Sequence, residues 1–250
     1  MIGAPQRGAP FEQILGNKGP KFDPVKFHWL GSLNNEAGVL KILKSHPVKT
    51  LDDALTTPVI LGASGPNDSE IYPALMNNTI GTKFKIITGY RGGSPIRKAI
   101  ETGELHGWSG QWLGWKLRKA DWIRDGKIVN LVQMASKKSP DLPDVPLLSE
   151  LAKNDEQREM FEFVQTGLGD KAFIVAPGVP KDRAAVLSKA YMATLRDPAF
   201  VAEMTKRSYT IDPIEQARIE AWVGKIMATP KERIETLRTL MGLTGGKKKG

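Results

Sequence analysis

Short apolar runs alternate with amphipathic stretches along most of the chain. The runs Phe27–Leu30, Val39–Leu43, Val59–Ala63, Phe84–Ile87, Leu105–Trp108, Ile128–Ala135 and Ala172–Ala176 are often bounded by Gly, Pro or Ser and predict strands. Ser69–Asn78, Ser94–Thr102, Gln111–Lys119, Leu147–Thr166, Asp182–Leu195, Pro198–Lys206, Ile214–Met227 and Lys231–Met241 predict helices. Such alternation predicts an α/β fold with a largely parallel sheet. From Pro180 onward almost everything is helical, so these helices are expected to cover a sheet built from earlier residues. The first ten residues, with Pro5 and Pro10, read as a loop.

Several helix starts carry local signatures. Thr50 stands three residues before Asp53, the capping-box spacing. Ser94-Pro95 predicts a capping hydroxyl ahead of a first-turn proline, with Gly103 past the helix end. Asp197-Pro198 and Thr229-Pro230 repeat that start.

Composition narrows the class. A chain of 250 residues with 40% hydrophobic and 25% charged positions supports one large domain or two small ones with packed cores. Mean hydropathy is −0.29, and no run approaches the roughly 18–20 apolar residues of a membrane span. With no cysteine, disulfide frameworks, thiolate nucleophiles and Cys-ligated metals are excluded. His28, His46 and His106 lie far apart, so neither a metal nor a cofactor is expected.

Lys and Arg outnumber Asp and Glu by 36 to 27, giving a net charge of +9. That balance suits nucleic acid, an anionic surface or a small anionic ligand. Nucleic acid is not expected, because basic residues are interleaved with acids, as in Lys116–Lys119 before Asp121 and Asp125. The cluster Lys247–Lys249 reads as a frayed tail.

Candidate chemistry sits where predicted strands run into predicted helices. The loop Gly62–Ser69 is rich in small and hydroxylated residues ahead of a helix, where backbone N–H groups and the macrodipole favour an anion. Ser64 and Ser69 can donate to a carboxylate or phosphate. The second loop, Thr88–Pro95, repeats this arrangement after another strand. Gly92 and Gly93 permit close approach, Arg91 offers a planar fork, and Tyr90 offers a face and a hydroxyl. A third junction, Leu105–Trp115, brings Ser109 and Gln111 to a turn. Each loop alone reads equally as a structural turn; two in one chain favour ligand binding at strand ends. His106 has no neighbour completing a nucleophile–base arrangement and reads as structural. Neither Asp52/Asp53 nor Asp141/Asp144 has a partner that tunes it for acid–base work. The pattern is that of a binder of a small anion and not of an enzyme.

A set of motifs then occurs in a telling order: Val48–Ala54, Gly62–Ser69, Gly89-Tyr90-Arg91-Gly92-Gly93, Ser139–Pro146, Ala176–Pro180 and Asp197-Pro198-Ala199-Phe200. Together they resemble the substrate-binding receptors of tripartite tricarboxylate transporters, the Bug receptors, from about Phe22 to about Met241. The resemblance implies a two-lobed α/β fold of the periplasmic-binding-protein type II, a periplasmic location, and a small carboxylate ligand held in an interlobe cleft. It also implies membrane permease subunits as partners. Carried over, the second-lobe contacts are Ser64, Gly65, Asn67, Ser69, Tyr90, Gly92 and Gly93, with Ser109 beside them, and Arg91 joins this candidate site on the chemistry of its fork.

By that resemblance the second lobe runs over 50–166, and the first lobe comprises 1–49 with 167–250. The first lobe is expected to be incomplete, lacking the family's export signal and opening strand–loop–helix unit. Pro66, Asn67 and Asp68 stand where the family carries smaller residues, and an inward Asp68 would repel a carboxylate. His106 stands where members commonly carry an aspartate. The alternatives are a truncated, non-binding remnant that acts by association, an enzyme on the same scaffold, and a nucleic-acid binder driven by charge.

Overall fold

The computed structural model describes residues 1–5, 8–16, 21–65, 67–165 and 172–243. In chain order they form β1 (Ile2–Gly3), α1 (Ala9–Ile14), β2 (His28–Gly31), β3 (Gly38–Leu43), β4 (Val59–Gly62) and α2 (Asp68–Thr79). Next come β5 (Phe84–Ile87), α3 (Gly93–Glu101), β6 (Gly107–Gln111), α4 (Trp112–Arg118), α5 (Ala120–Arg124), β7 (Ile128–Met134) and α6 (Asp155–Gln165). The rest is β8 (Phe173–Val175), α7 (Lys181–Arg196), α8 (Pro198–Lys206), α9 (Gln216–Met227) and α10 (Lys231–Leu240). Among the described residues no helix is long and apolar enough to cross a membrane.

The chain divides into two units. One comprises Met1–Glu36 and Thr166–Ile234, the other Ala37–Gln165 and Glu235–Gly250. The division near residue 50 expected from sequence thus falls between Glu36 and Ala37. The cause is β3, whose Val39, Leu40 and Ile42 are fully or almost fully buried between β6 and β7. A strand buried along nearly its whole length and paired on both sides is central, and its pairing carries residues 37–49 into the second unit.

In the first unit, β8 pairs antiparallel with β1 on one side and β2 on the other. The start of the chain, read above as a loop, therefore opens with an edge strand whose partner lies far along the sequence. Leu30, Val175 and Ala184 form a small core, and the Ser188 hydroxyl ties α7 to the Leu30 carbonyl at 2.9 Å. Ile214, expected inside a helix, instead bridges Ser32.

The second unit holds a five-stranded sheet in the order β5-β4-β6-β3-β7. Pairing is parallel for β5, β4 and β6 but antiparallel for β6 with β3 and β3 with β7. The expected largely parallel sheet is therefore mixed. A crossover helix links β4 to β5 and β5 to β6, which makes them parallel; β3 arrives without one. Ile96, Ala99 and Ile100 of α3 pack with Trp112 and Trp115 of α4 against Val39.

Two further departures have local causes. The single helix expected over Leu147–Thr166 is a 3₁₀ turn, Leu148–Leu151, followed by α6. The Glu150 carboxylate accepts the Leu147 N–H and closes that turn, and Asn154 recaps the chain by accepting the Gln157 N–H at 2.8 Å. Strand β6 starts later than expected because Leu105 still bonds back to Ala99 of α3.

Candidate ligand-binding site

Parallel pairing places the C-terminal ends of β4, β5 and β6 at one end of the sheet, where open α/β sheets bind ligands. The loops leaving β4 and β5 run side by side. Ala63 N–H donates to the Ile87 carbonyl at 2.8 Å, and Tyr90 N–H donates to the Ala63 carbonyl at 3.3 Å. Gly62 pairs with Trp108, so β6 runs on past the start of the first loop. The strand-end residues singled out in the sequence thus share one end of one sheet. Pro66 lies outside the described residues.

The first loop is closed on itself. Ser69 is 2% exposed; its hydroxyl donates to Asn67 Oδ1 at 2.7 Å and accepts the Ser64 N–H at 3.0 Å. Asn67 Oδ1 also accepts the Ser69 N–H at 3.0 Å, and Asn67 Nδ2 donates to Ser64 Oγ at 3.1 Å. Asn67 is the N-cap of α2. Asp68 stands in the first turn of α2, where the macrodipole favours an acid. These groups build the loop.

The second loop is open. Gly92, at φ +93°, is the N-cap of α3 and provides no side-chain cap. Ser94, expected to cap, lies inside the helix instead. Pro95 has no N–H, and the Gly93 and Ser94 N–H groups have no intrahelical acceptor. Arg91 is exposed. The Tyr90 hydroxyl donates to the Glu104 carboxylate, and this bond pushes its pKa up to about 12. It is therefore engaged, and the Tyr90 ring packs against the core that holds Ile96 and Ile100.

Beneath this open start lies an indole between cations. A Cβ on Gly93 would stand 2.5 Å from Trp108 Cη2, so only glycine lets the ring and the loop meet. Arg97, one turn along α3, is 8% exposed; its Nη1 lies 3.0 Å from that same point and its Cζ lies 5.7 Å from the Trp108 centroid. Lys41 of β3 is fully buried, with Nζ 5.5 Å and 5.4 Å from the Trp108 and Trp115 centroids, and it donates to the Gly110 carbonyl at 2.8 Å. Cation–π attraction makes these desolvated charges tolerable. Burial first, and then the Arg118 charge, hold Arg97 below the ordinary arginine range.

Nearby acids are engaged elsewhere. Glu101 takes Lys98 and Lys119, and Asp141 takes Lys116 and the Trp112 indole N–H. Sequence reading had not singled out Lys41 or Arg97. The signal for Arg97 was an arginine four residues after a glycine, on a face otherwise formed by Ile96, Ala99 and Ile100.

Ser109 is fully buried in β6, and its hydroxyl has no partner among the described residues. Alternation along β6 turns it to the sheet face opposite Trp108. His106 lies at the far end of β6, where Nδ1 accepts the Ile60 N–H at 3.1 Å; its role there is structural. Thr50 and Asp53 bond reciprocally through side chain and backbone, as their spacing predicted, at the start of a 3₁₀ turn.

No family model matches the chain, and no curated protein matches it in sequence. Solved structures do. A TctC solute-binding protein from Polaromonas, without ligand, is 14% identical with a TM-score of 0.68, covering 96% of this chain and 77% of its own. An R. palustris protein with adipate is 18% identical with a TM-score of 0.69, over 96% and 77%. MatC from Rhodopseudomonas palustris with bound malate is 18% identical with a TM-score of 0.66, over 95% and 78%. At such identities the likeness shows the fold, which is the periplasmic-binding-protein-like α/β class expected from sequence.

Proposed function

We propose that this chain is a solute receptor for a small carboxylate, acting outside the cytoplasm for a transporter of the tripartite tricarboxylate type. The observation that carries this reading is the pair of adjoining strand-end loops on parallel β4 and β5, one of which leaves helix N–H groups open. Ser64, Gly65 and the segment Tyr90–Gly93 form the ligand side of that surface. Backbone donors at a helix start, backed by buried cations, suit a carboxylate. Among the described residues no nucleophile–base pair accompanies them, and a binding surface is the reading this favours. Support comes from the neighbours of the same fold, one with adipate and one with malate. Permease subunits would be the partners that collect the loaded receptor.

A thermal melt with a panel of mono-, di- and tricarboxylates tests the reading. A dose-dependent rise in midpoint with one acid is the expected result. A cooperative melt that no acid shifts would sink it and leave a folded scaffold acting by association.

A further inference from the structure

The two helix starts at this end of the sheet differ in a way that singles out one residue. The start of α2 is filled by Asn67 and Ser69. The nine-residue helix α3 begins without any side-chain cap. Helical side chains tilt toward the helix N-terminus, so a residue four positions after Gly93 folds back toward the open N–H groups. Arg97 does this: its Nη1 lies 3.0 Å from the point a Gly93 Cβ would occupy, and its guanidinium lies against Trp108. It is 8% exposed and has no carboxylate partner among the described residues. Stacking on an indole offsets only part of the cost of burying such a charge.

We propose that Arg97 is the specificity-determining contact of this chain, its guanidinium seating one oxyanion group of the ligand together with the Gly93 and Ser94 N–H groups. That the oxyanion is a carboxylate rests on the receptor reading above; the seat itself rests on the geometry of α3. Gly93, lacking a Cβ, leaves room for the Trp108 ring and the Arg97 guanidinium to sit beside these N–H groups. A planar fork bonds two oxygens at once, which a lysine ammonium does not reproduce. Lys41, on the same indole, adds to the positive potential. An anion would also relieve the opposition to the Arg97 charge from burial and Arg118.

The test combines amide and arginine side-chain NMR with calorimetry, using malate, adipate, acetate and sulfate as probes. In the wild-type chain, a bound acid is expected to shift Gly93 N–H, Ser94 N–H and Arg97 Nε–H before other resonances. Arg97→Gln is expected to weaken that acid by about ten- to hundredfold, and Arg97→Lys to recover little, with both variants melting cooperatively. If an acid binds and Arg97→Gln binds it within about twofold, or if the wild-type shifts fall outside 92–97, the proposal is overturned while the receptor reading stands. Sulfate shifting these resonances while no acid does would keep the seat and remove the receptor reading. If neither acids nor sulfate move them, the proposal falls, whatever the variants do.

Discussion

His46 and His106 stack with ring centroids 4.3 Å apart, and each Nδ1 accepts a backbone N–H, from Val48 and Ile60 respectively. A protonated Nδ1 cannot accept, so the fold requires both rings neutral. Burial first, then the charges of His106 and Lys49, lower the pKa of His46; burial lowers that of His106. A folded value below the ordinary 6.5 means that the unfolded chain takes up protons first as pH falls. The stability these rings contribute is therefore complete above about 6.5 and is lost as pH drops through their lowered folded values. Urea midpoints measured from pH 7.5 down to 5 are expected to fall, and to fall less steeply in His106→Asn. An equal slope in that variant would show that other groups set the dependence. None of this was legible in sequence, where the three histidines stand far apart. Lys41 was equally hidden: it sits inside an apolar run that predicts a strand, and the two tryptophan faces that shelter it come from β6 and α4.

At the scale of elements, capping chemistry was mostly readable because it depends on neighbours a few residues apart. Thr50 with Asp53, and Asp197 accepting the Phe200 N–H at 2.9 Å, form as their spacing predicts. Asn67, read from sequence as a ligand contact, is also the cap that closes the first loop. Asn67→Ala is expected to lower unfolding free energy by about 1 kcal/mol in urea titrations, the usual cost of a lost N-cap. A change within about 0.3 kcal/mol would show that the loop does not depend on it. Ser94 failed as a cap for a reason of conformation. Gly92 takes φ +93°, which starts α3 at Gly93 and draws Ser94 into the helix. That shift leaves the start of α3 open.

Over the whole molecule, the +9 charge is divided between ion pairs and scattered surface residues. Lys116, Lys119, Lys127 and Lys138 each meet a carboxylate. Lysines paired in this way are less available to a phosphate backbone. Binding to arbitrary duplex DNA is therefore expected to be undetectable at about 150 mM salt in an anisotropy titration; micromolar binding with a steep salt slope would reverse that expectation. A ligand bound at about 100 times its Kd is expected to add about 2.7 kcal/mol of stability. For a chain of this size that is a midpoint rise of roughly 5–10 °C, which scanning calorimetry resolves.

By itself, the sequence determined every strand but β1, most of the helices, and two loops suited to an anion. Those features follow from hydrophobic period, capping residues and glycine placement, all read within a few residues of chain. Only the tertiary structure decided that β3 pairs antiparallel in the second unit, and that the loops after β4 and β5 adjoin. It alone decided that one helix start is sealed while the other stays open beside Trp108, Arg97 and Lys41. These outcomes depend on which distant segments pair and how their side chains share a buried face. Strand pairing is settled by burial across a whole sheet, and no local pattern records it.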